Sequence, residues 1–179
     1  MVMSKKIKEK CKKIDLVLTD VDGVLTDGGM FYSVSREELK KFNARDGMAV
    51  ELLRRNGVST IFLTKDDSKV SKNRAKKLKA KIFFGIKNKE KKLSELCKSM
   101  KINPENIAYI GDDVNDIDII KLVGLSASPN DAVYQVKKIV DYICENNGGS
   151  GAFREFADMI LKEKFPDKTK WYWFIVSQI

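Results

Sequence analysis

The stretch from Lys13 to Gly28 constrains the fold of this chain more than any other. A short branched apolar run, Leu16-Val17-Leu18, ends at two carboxylates, Asp20 and Asp22, and Gly23 follows at once. Such a run reads as a strand buried on both faces, the kind found inside a parallel sheet. In an open α/β sheet the ligand lies beyond the carboxyl ends of the strands. Acids just past such an end therefore face the binding crevice.

The rest of the chain repeats the pattern. Residues 58–63, 82–84, 107–110 and 125–127 read as further strands, and 140–143 as a marginal one. Helical stretches lie between them over 48–56, 68–78, 89–100, 116–122 and 131–138, with Gly57 and Gly124 as stops. Arg45 and Asp46 read as capping the first of these helices. Alternating βα units imply an α/β fold: a doubly wound, mostly parallel sheet covered on both faces, with right-handed crossovers. The exception is a small β-hairpin at about 29–43, with strands over 30–34 and 38–42. A further helix is expected over 152–164, then an aromatic tail over about 165–179 that is too short to span a bilayer and is expected to dock on protein. No linker divides the chain, so one domain over 1–179 is expected.

Composition narrows the chemistry. There is no histidine, which removes Ser-His-Asp and Cys-His catalysis and histidine metal sites. The three cysteines, Cys11, Cys97 and Cys144, are far apart with no CxxC, so neither a disulfide framework nor a structural zinc site is expected. Net charge is +9, with basic residues crowded between 65 and 98. No recognition motif accompanies them, so they read as solvated helix faces rather than a nucleic-acid surface. The basic N-terminus is followed by no signal core and no apolar run approaches the roughly 20 residues a span needs, so a cytoplasmic protein without membrane attachment is expected.

The polar residues at the expected strand ends then stand out. Asp20 and Asp22 follow the first strand, Thr64 the second, and Asp112 and Asp113 the fourth, with Asp116 close behind; Lys89 opens the helix after the third. Converging carboxylates without histidine suit a hard cation such as Mg²⁺, which relieves their repulsion and takes a phosphoryl oxygen. A carboxylate held there can attack phosphorus, and a second acid two residues on can protonate the leaving oxygen and later activate water. A lysine and a threonine hydroxyl can hold the oxygens on which charge develops.

The segment Asp20-Val21-Asp22-Gly23-Val24-Leu25-Thr26 resembles the DxDGxxT motif of the haloacid dehalogenase (HAD) superfamily, and Gly111-Asp112-Asp113-Val114-Asn115-Asp116 its GDDxxD motif. Residues 41–47, 124–126 and 148–155 are similar to the 3-deoxy-D-manno-octulosonate 8-phosphate (KDO 8-phosphate) phosphatase family. The resemblance implies a Rossmann-like HAD fold with no cap domain, Asp20 as nucleophile and metal ligand, and Asp22 as general acid/base with its carbonyl on the metal. It also implies Thr64 and Lys89 as phosphoryl-binding groups and Asp112 as a further Mg²⁺ ligand, with Asp113 nearby; Asp116 orients the loop or Lys89. The family answer to an open site is a homotetramer whose hairpins, with Met30, Phe31 and Tyr32, associate centrally. One departure is local: Thr64 is followed by Lys65-Asp66-Asp67 where the family usually has Gly-Arg. Arg45, Lys65, Arg74, Lys77 and Arg154 are candidates for contacts to the sugar acid, with Asp22 also against the substrate. KDO 8-phosphate is the expected substrate, a nonulosonate 9-phosphate the alternative, and a catalytically silent partner domain of a cytidylyltransferase the reading from another class.

Overall fold

The structure, a computed structural model, describes residues 3–34 and 37–166, so the aromatic tail lies largely outside the described residues. Strands β1 (Leu16–Thr19), β4 (Ser59–Leu63), β5 (Lys81–Phe83), β6 (Ile107–Ile110), β7 (Leu125–Ser128) and β8 (Tyr142–Ile143) form one parallel sheet in the order β5-β4-β1-β6-β7-β8. Strands β2 (Phe31–Tyr32) and β3 (Glu37–Leu39) pair antiparallel as a separate hairpin, anchored by a bridge between Thr26 and Phe42. The helices are α1 (Lys5–Lys13), α2 (Ala44–Arg55), α3 (Lys69–Lys77), α4 (Lys89–Met100), α5 (Ile117–Ile120), α6 (Tyr134–Lys137) and α7 (Ala152–Lys164). This is the doubly wound α/β sheet with a small hairpin, and no cap is inserted among the described residues. No helix in them is long and apolar enough to cross a membrane.

Period-two alternation along the strands builds two cores. Val17, Phe62, Ala108 and Ile110 meet Leu52 and Leu53 of α2 and Phe153, Phe156 and Ile160 of α7. Leu16, Leu18, Ile61, Leu63 and Tyr109 meet Leu93 and Leu96 of α4 and Ile119 of α5 on the other face. All of these side chains are buried, at roughly 1.5–3 kcal/mol each for the large apolar ones. The central position of β1, paired with β4 through Leu16↔Ser59 and with β6 through Leu16↔Ile107, brings three strand ends side by side.

Two elements depart from expectation. The basic N-terminal segment is a helix, α1, capped by Ser4 and packed through buried Cys11, with Ile7 and Ile14 on the same stripe. The dense lysines hide that i, i+4, i+7 pattern in a residue count. Helix α2 starts at Ala44, before the expected residue 48, because Asn43 caps it by accepting from the Arg45 N–H at 2.8 Å. Arg45 and Asp46 are therefore not its caps. Asp46 is buried in the first turn and accepts instead from the Arg154 N–H of α7 at 2.8 Å.

That bond ties the start of α7 to the start of α2, while the glycine-rich turn before α7 packs on the loop after β1. The Gly149 N–H donates to the Val24 carbonyl at 2.9 Å, and a Cβ on Gly148 would collide with the Gly23 carbonyl. Glu155 secures the same turn by accepting from the backbone N–H groups of Glu145 and Asn146, at 2.9 and 3.0 Å. The C-terminal segment thus supports the Asp20–Asp22 loop from behind.

Candidate active site

Beyond the ends of β1, β4 and β6 opens a pocket of about 410 Å³, within the usual range of small-molecule sites. Asp20, Asp22, Thr64, Lys65, Asp112 and Asp113 line it, together with Asp66, Asn115 and, from the hairpin, Met30 and Tyr32. Five of these are acids and one is a cation. Left alone, such a pocket repels a phosphate ester.

Asp20 sits where β1 ends, its N–H bonded to the Ile110 carbonyl at 3.0 Å. Its Oδ1 accepts from the Val21 N–H at 2.6 Å and its Oδ2 from Lys89 Nζ at 2.7 Å. Gly23, at φ +87°, turns the loop so closely over β6 that a Cβ there would strike the Asp112 carboxylate. Glycine at that position is what lets the two acid loops meet. Thr64 Oγ1 accepts from the Asp66 N–H at 3.1 Å, leaving its own hydrogen to donate.

Lys89, at the first position of α4, is buried and points back under the pocket. Its three N–H groups meet Asp20 Oδ2 at 2.7 Å, Asp116 Oδ1 at 2.5 Å and Tyr109 Oη at 3.0 Å. Burial alone would lower its pKa, but Asp20 and Asp116 reverse this and hold it above the usual lysine value. Asp116 is saturated: Tyr109 donates to Oδ1 at 2.5 Å, and the Asp112 and Asp113 N–H groups donate to Oδ2 at 2.9 and 3.3 Å. Tyr109, which gave no sign of a role in the sequence, is fully buried here, and burial together with Asp116 pushes its hydroxyl well above the usual pKa.

Oxygens of Asp20, Asp112 and Asp116 lie within 4.8 Å of one another. Asp116 is committed to its four donors, which leaves Asp20 and Asp112 to face an ion. Asp112 Oδ1 is buried with no hydrogen-bond partner. Burial, then Asp20 and Asp116, push the Asp112 carboxyl up to about 8, and burial pushes Asp20 up to about 6 against the pull of Lys89. An orphaned oxygen amid crowded acids is what a hard, oxygen-seeking cation resolves, so the donor set fits Mg²⁺.

The sign of the linkage follows. Two acids whose folded pKa values exceed their unfolded ones make the metal-free fold bind extra protons, so its stability falls as pH rises from about 4 toward 8. A cation on Asp20 and Asp112 removes the penalty, so the Tm gain from Mg²⁺ over EDTA is expected to be larger at pH 8 than at pH 5.5. Asp46, also pushed up to about 6 by burial, adds to the metal-free trend but not to the Mg²⁺ gain. A gain equal or larger at pH 5.5 would place the cation elsewhere.

The expected sugar-acid contacts separate. Lys65 lines the pocket. Arg74 does not: it donates to the Asn43 carbonyl at 2.9 Å and stacks on Phe42, so it braces the start of α2. Arg154 does not either, its Nε donating to Asp158 at 2.7 Å on its own helix. Arg45 is exposed on the first turn of α2, and Lys77 ends α3; neither lines the pocket. Lys40, absent from the expected set, is buried and lies between Asp22 and Asp66.

Residues 58–156 match the model of the haloacid dehalogenase-like hydrolases. The 3-deoxy-D-manno-octulosonate 8-phosphate phosphatase of Haemophilus influenzae is 39% identical over 157 residues, covering 87% of each chain. Among solved structures, the phosphatase of that name from Moraxella catarrhalis, in complex with magnesium, phosphate and KDO, superposes with a TM-score of 0.89 at 32% identity, covering 97% of this chain and 98% of that one. The cobalt-bound form of the Haemophilus influenzae protein superposes at 0.86 with 36% identity, covering 92% and 99%.

Proposed function

The chain belongs to the KDO 8-phosphate phosphatase family of the haloacid dehalogenase superfamily, and on that footing we propose that it releases phosphate from a 3-deoxy-2-ulosonic acid phosphate, KDO 8-phosphate foremost. It is a phosphoric monoester hydrolase. The observation that carries the reading is the meeting of Asp20, Asp22, Thr64 and Asp112 in one pocket with Lys89 buried beneath Asp20.

Asp20 attacks phosphorus: a carboxylate oxygen–phosphorus bond forms as the bond to the sugar oxygen breaks. Asp22 gives its proton to that departing oxygen, then takes one from the water that releases phosphate and restores Asp20. Thr64 donates its hydroxyl hydrogen to a phosphoryl oxygen. Lys89 holds Asp20 in place through one N–H, and that N–H passes to a phosphoryl oxygen as the Asp20 charge is consumed by the new bond. Asp20 and Asp112, with the Asp22 carbonyl in the family's manner, would hold Mg²⁺, which would supply positive charge against the phosphoryl oxygens.

Among the described residues, Lys65, on the pocket wall, is the cation best placed for the substrate carboxylate. The homotetramer belongs to the same reading. It is supported by the hairpin, whose Phe31, Tyr32 and Leu39 are 65%, 70% and 62% exposed, while Met30 and Tyr32 also reach the pocket.

The deciding measurement is kcat/KM with Mg²⁺ across KDO 8-phosphate, a nonulosonate 9-phosphate and simple sugar phosphates. KDO 8-phosphate is expected to lead by about tenfold or more, the order of discrimination a few pocket contacts give. A lead for the nine-carbon ester would shift the assignment to that substrate, and equal low rates on all would remove it.

A further inference from the structure

Lys40 follows β3 at the base of the hairpin, and its side chain is fully buried. Its Nζ lies 2.7 Å from Asp22 Oδ1 and 2.6 Å from Asp66 Oδ2. The bridge joins three separate pieces of chain. One is the hairpin that sends Met30 and Tyr32 into the pocket, one the loop bearing Asp20 and Asp22, and one the turn after β4, where the Asp66 N–H is held by Thr64. Burying an ammonium is costly and is offset only by close opposite charge, so a lysine with two carboxylates at this spacing is a built feature rather than a surface pair. Asp66 stands in the turn where this sequence departs from the usual Gly-Arg.

We propose that Lys40, braced by Asp66, is a positioning residue that orients the Asp22 carboxyl for proton transfer to the leaving oxygen. This rests on the phosphomonoesterase reading. The Asp22 loop is set by the turn at Gly23. An ammonium 2.7 Å from Oδ1 constrains the rotation of that carboxyl, and Asp22 lines the pocket. The grip comes from the hairpin, so placement of the flap and of the proton donor are one event. In the step concerned, the O–H bond of Asp22 breaks and its proton goes to the sugar oxygen as that oxygen parts from phosphorus. Without a placed donor the oxygen must leave as an alkoxide, which is ruinous for an alkyl ester and tolerable for a nitrophenyl ester.

The test is single-turnover release of the leaving group from KDO 8-phosphate and from p-nitrophenyl phosphate, with wild type and Lys40→Met. Alcohol release is expected to slow by about 100-fold, the lower end of what a placed general acid supplies, with KM within about threefold. Nitrophenolate release is expected to fall by no more than about threefold. A loss that is equal on both esters, or confined to KM, overturns the proposal while leaving the phosphatase reading intact. A wild type inactive on both overturns that reading and this proposal with it. Should Lys40→Met fail to fold by circular dichroism, Lys40→Gln combined with Asp66→Asn removes one charge of each sign and keeps the shapes. The same selective slowing is expected of it, by about tenfold, and its absence overturns the proposal.

Discussion

Asp20→Asn is expected to lower kcat by at least about 10⁴-fold, the scale on which removal of an attacking nucleophile acts. An amide nitrogen or oxygen in that position cannot form the covalent phosphoryl intermediate. The chain has no histidine that could replace it as a nucleophile. The fold should not suffer. Burial and neighbouring Asp116 already push Asp20 up to about 6, so above that pH the metal-free wild type carries a buried charge that the asparagine variant lacks. The variant should therefore melt no lower than wild type at pH 8 in EDTA, and it should gain less from Mg²⁺. Phosphate release under saturating substrate, with acid-quench trapping of labelled phosphoprotein, reads both halves of the claim. Activity within tenfold of wild type, or a trapped phosphoprotein in the variant, would sink the nucleophile assignment.

Lys89→Met is expected to damage stability and turnover together. Lys89 is 3% exposed and answers two buried carboxylates, Asp20 and Asp116. Removing one member of such a buried set costs about 3–5 kcal/mol, because the remaining charges stay buried without compensation. Lys89 is held above its usual pKa, so it stays charged throughout pH 5–8 and loses its proton only as pH climbs through that raised value. In the variant the acids can take up protons as pH falls. The deficit in urea denaturation should therefore be largest at pH 8 and shrink toward pH 5.5. The more negative site should also bind Mg²⁺ more tightly, recovering part of the loss by mass action. Turnover should still fall by about 10²–10³-fold, the worth of a donor aimed at developing charge. A variant of unchanged stability would contradict the buried triad of Lys89, Asp20 and Asp116.

Much of this was legible in the residues themselves. Asp20 and Asp22 after an apolar run, Thr64 after a second and Asp112 after a fourth appear in the right order because strand ends in a parallel sheet share one edge. Helix α4 was legible over Lys89–Met100 from its stripe of Leu93, Leu96 and Met100, which follows helical period whatever packs on it. Helix α1 was not, because its apolar stripe of Ile7, Cys11 and Ile14 is interleaved with lysines. Arg74 and Arg154 read as candidate contacts to the sugar acid, whereas the structure engages them with the Asn43 carbonyl and with Asp158. Asp46 read as a cap of its own helix and serves another, because Asn43 already holds the α2 end.

The sequence by itself determined the sheet, the order of its loaded ends, and the kind of chemistry that carboxylates without histidine can perform. Each of these rests on short-range periodicity and on residue type, which are complete within a few positions of the chain. Only the tertiary structure decided which acids remain open to a cation and which are spent. Asp116 lies in the same motif as Asp112, yet Tyr109, Lys89 and two backbone N–H groups consume it, while Asp112 keeps an oxygen without a partner. Only the tertiary structure likewise joined Lys89 to Asp20 across 69 residues, Arg154 to Asp46 across 108, and Lys40 to Asp22 across 18. A charge chooses its partner by distance and burial after the sheet has closed, and neither quantity is written in the neighbourhood of the residue that makes the choice.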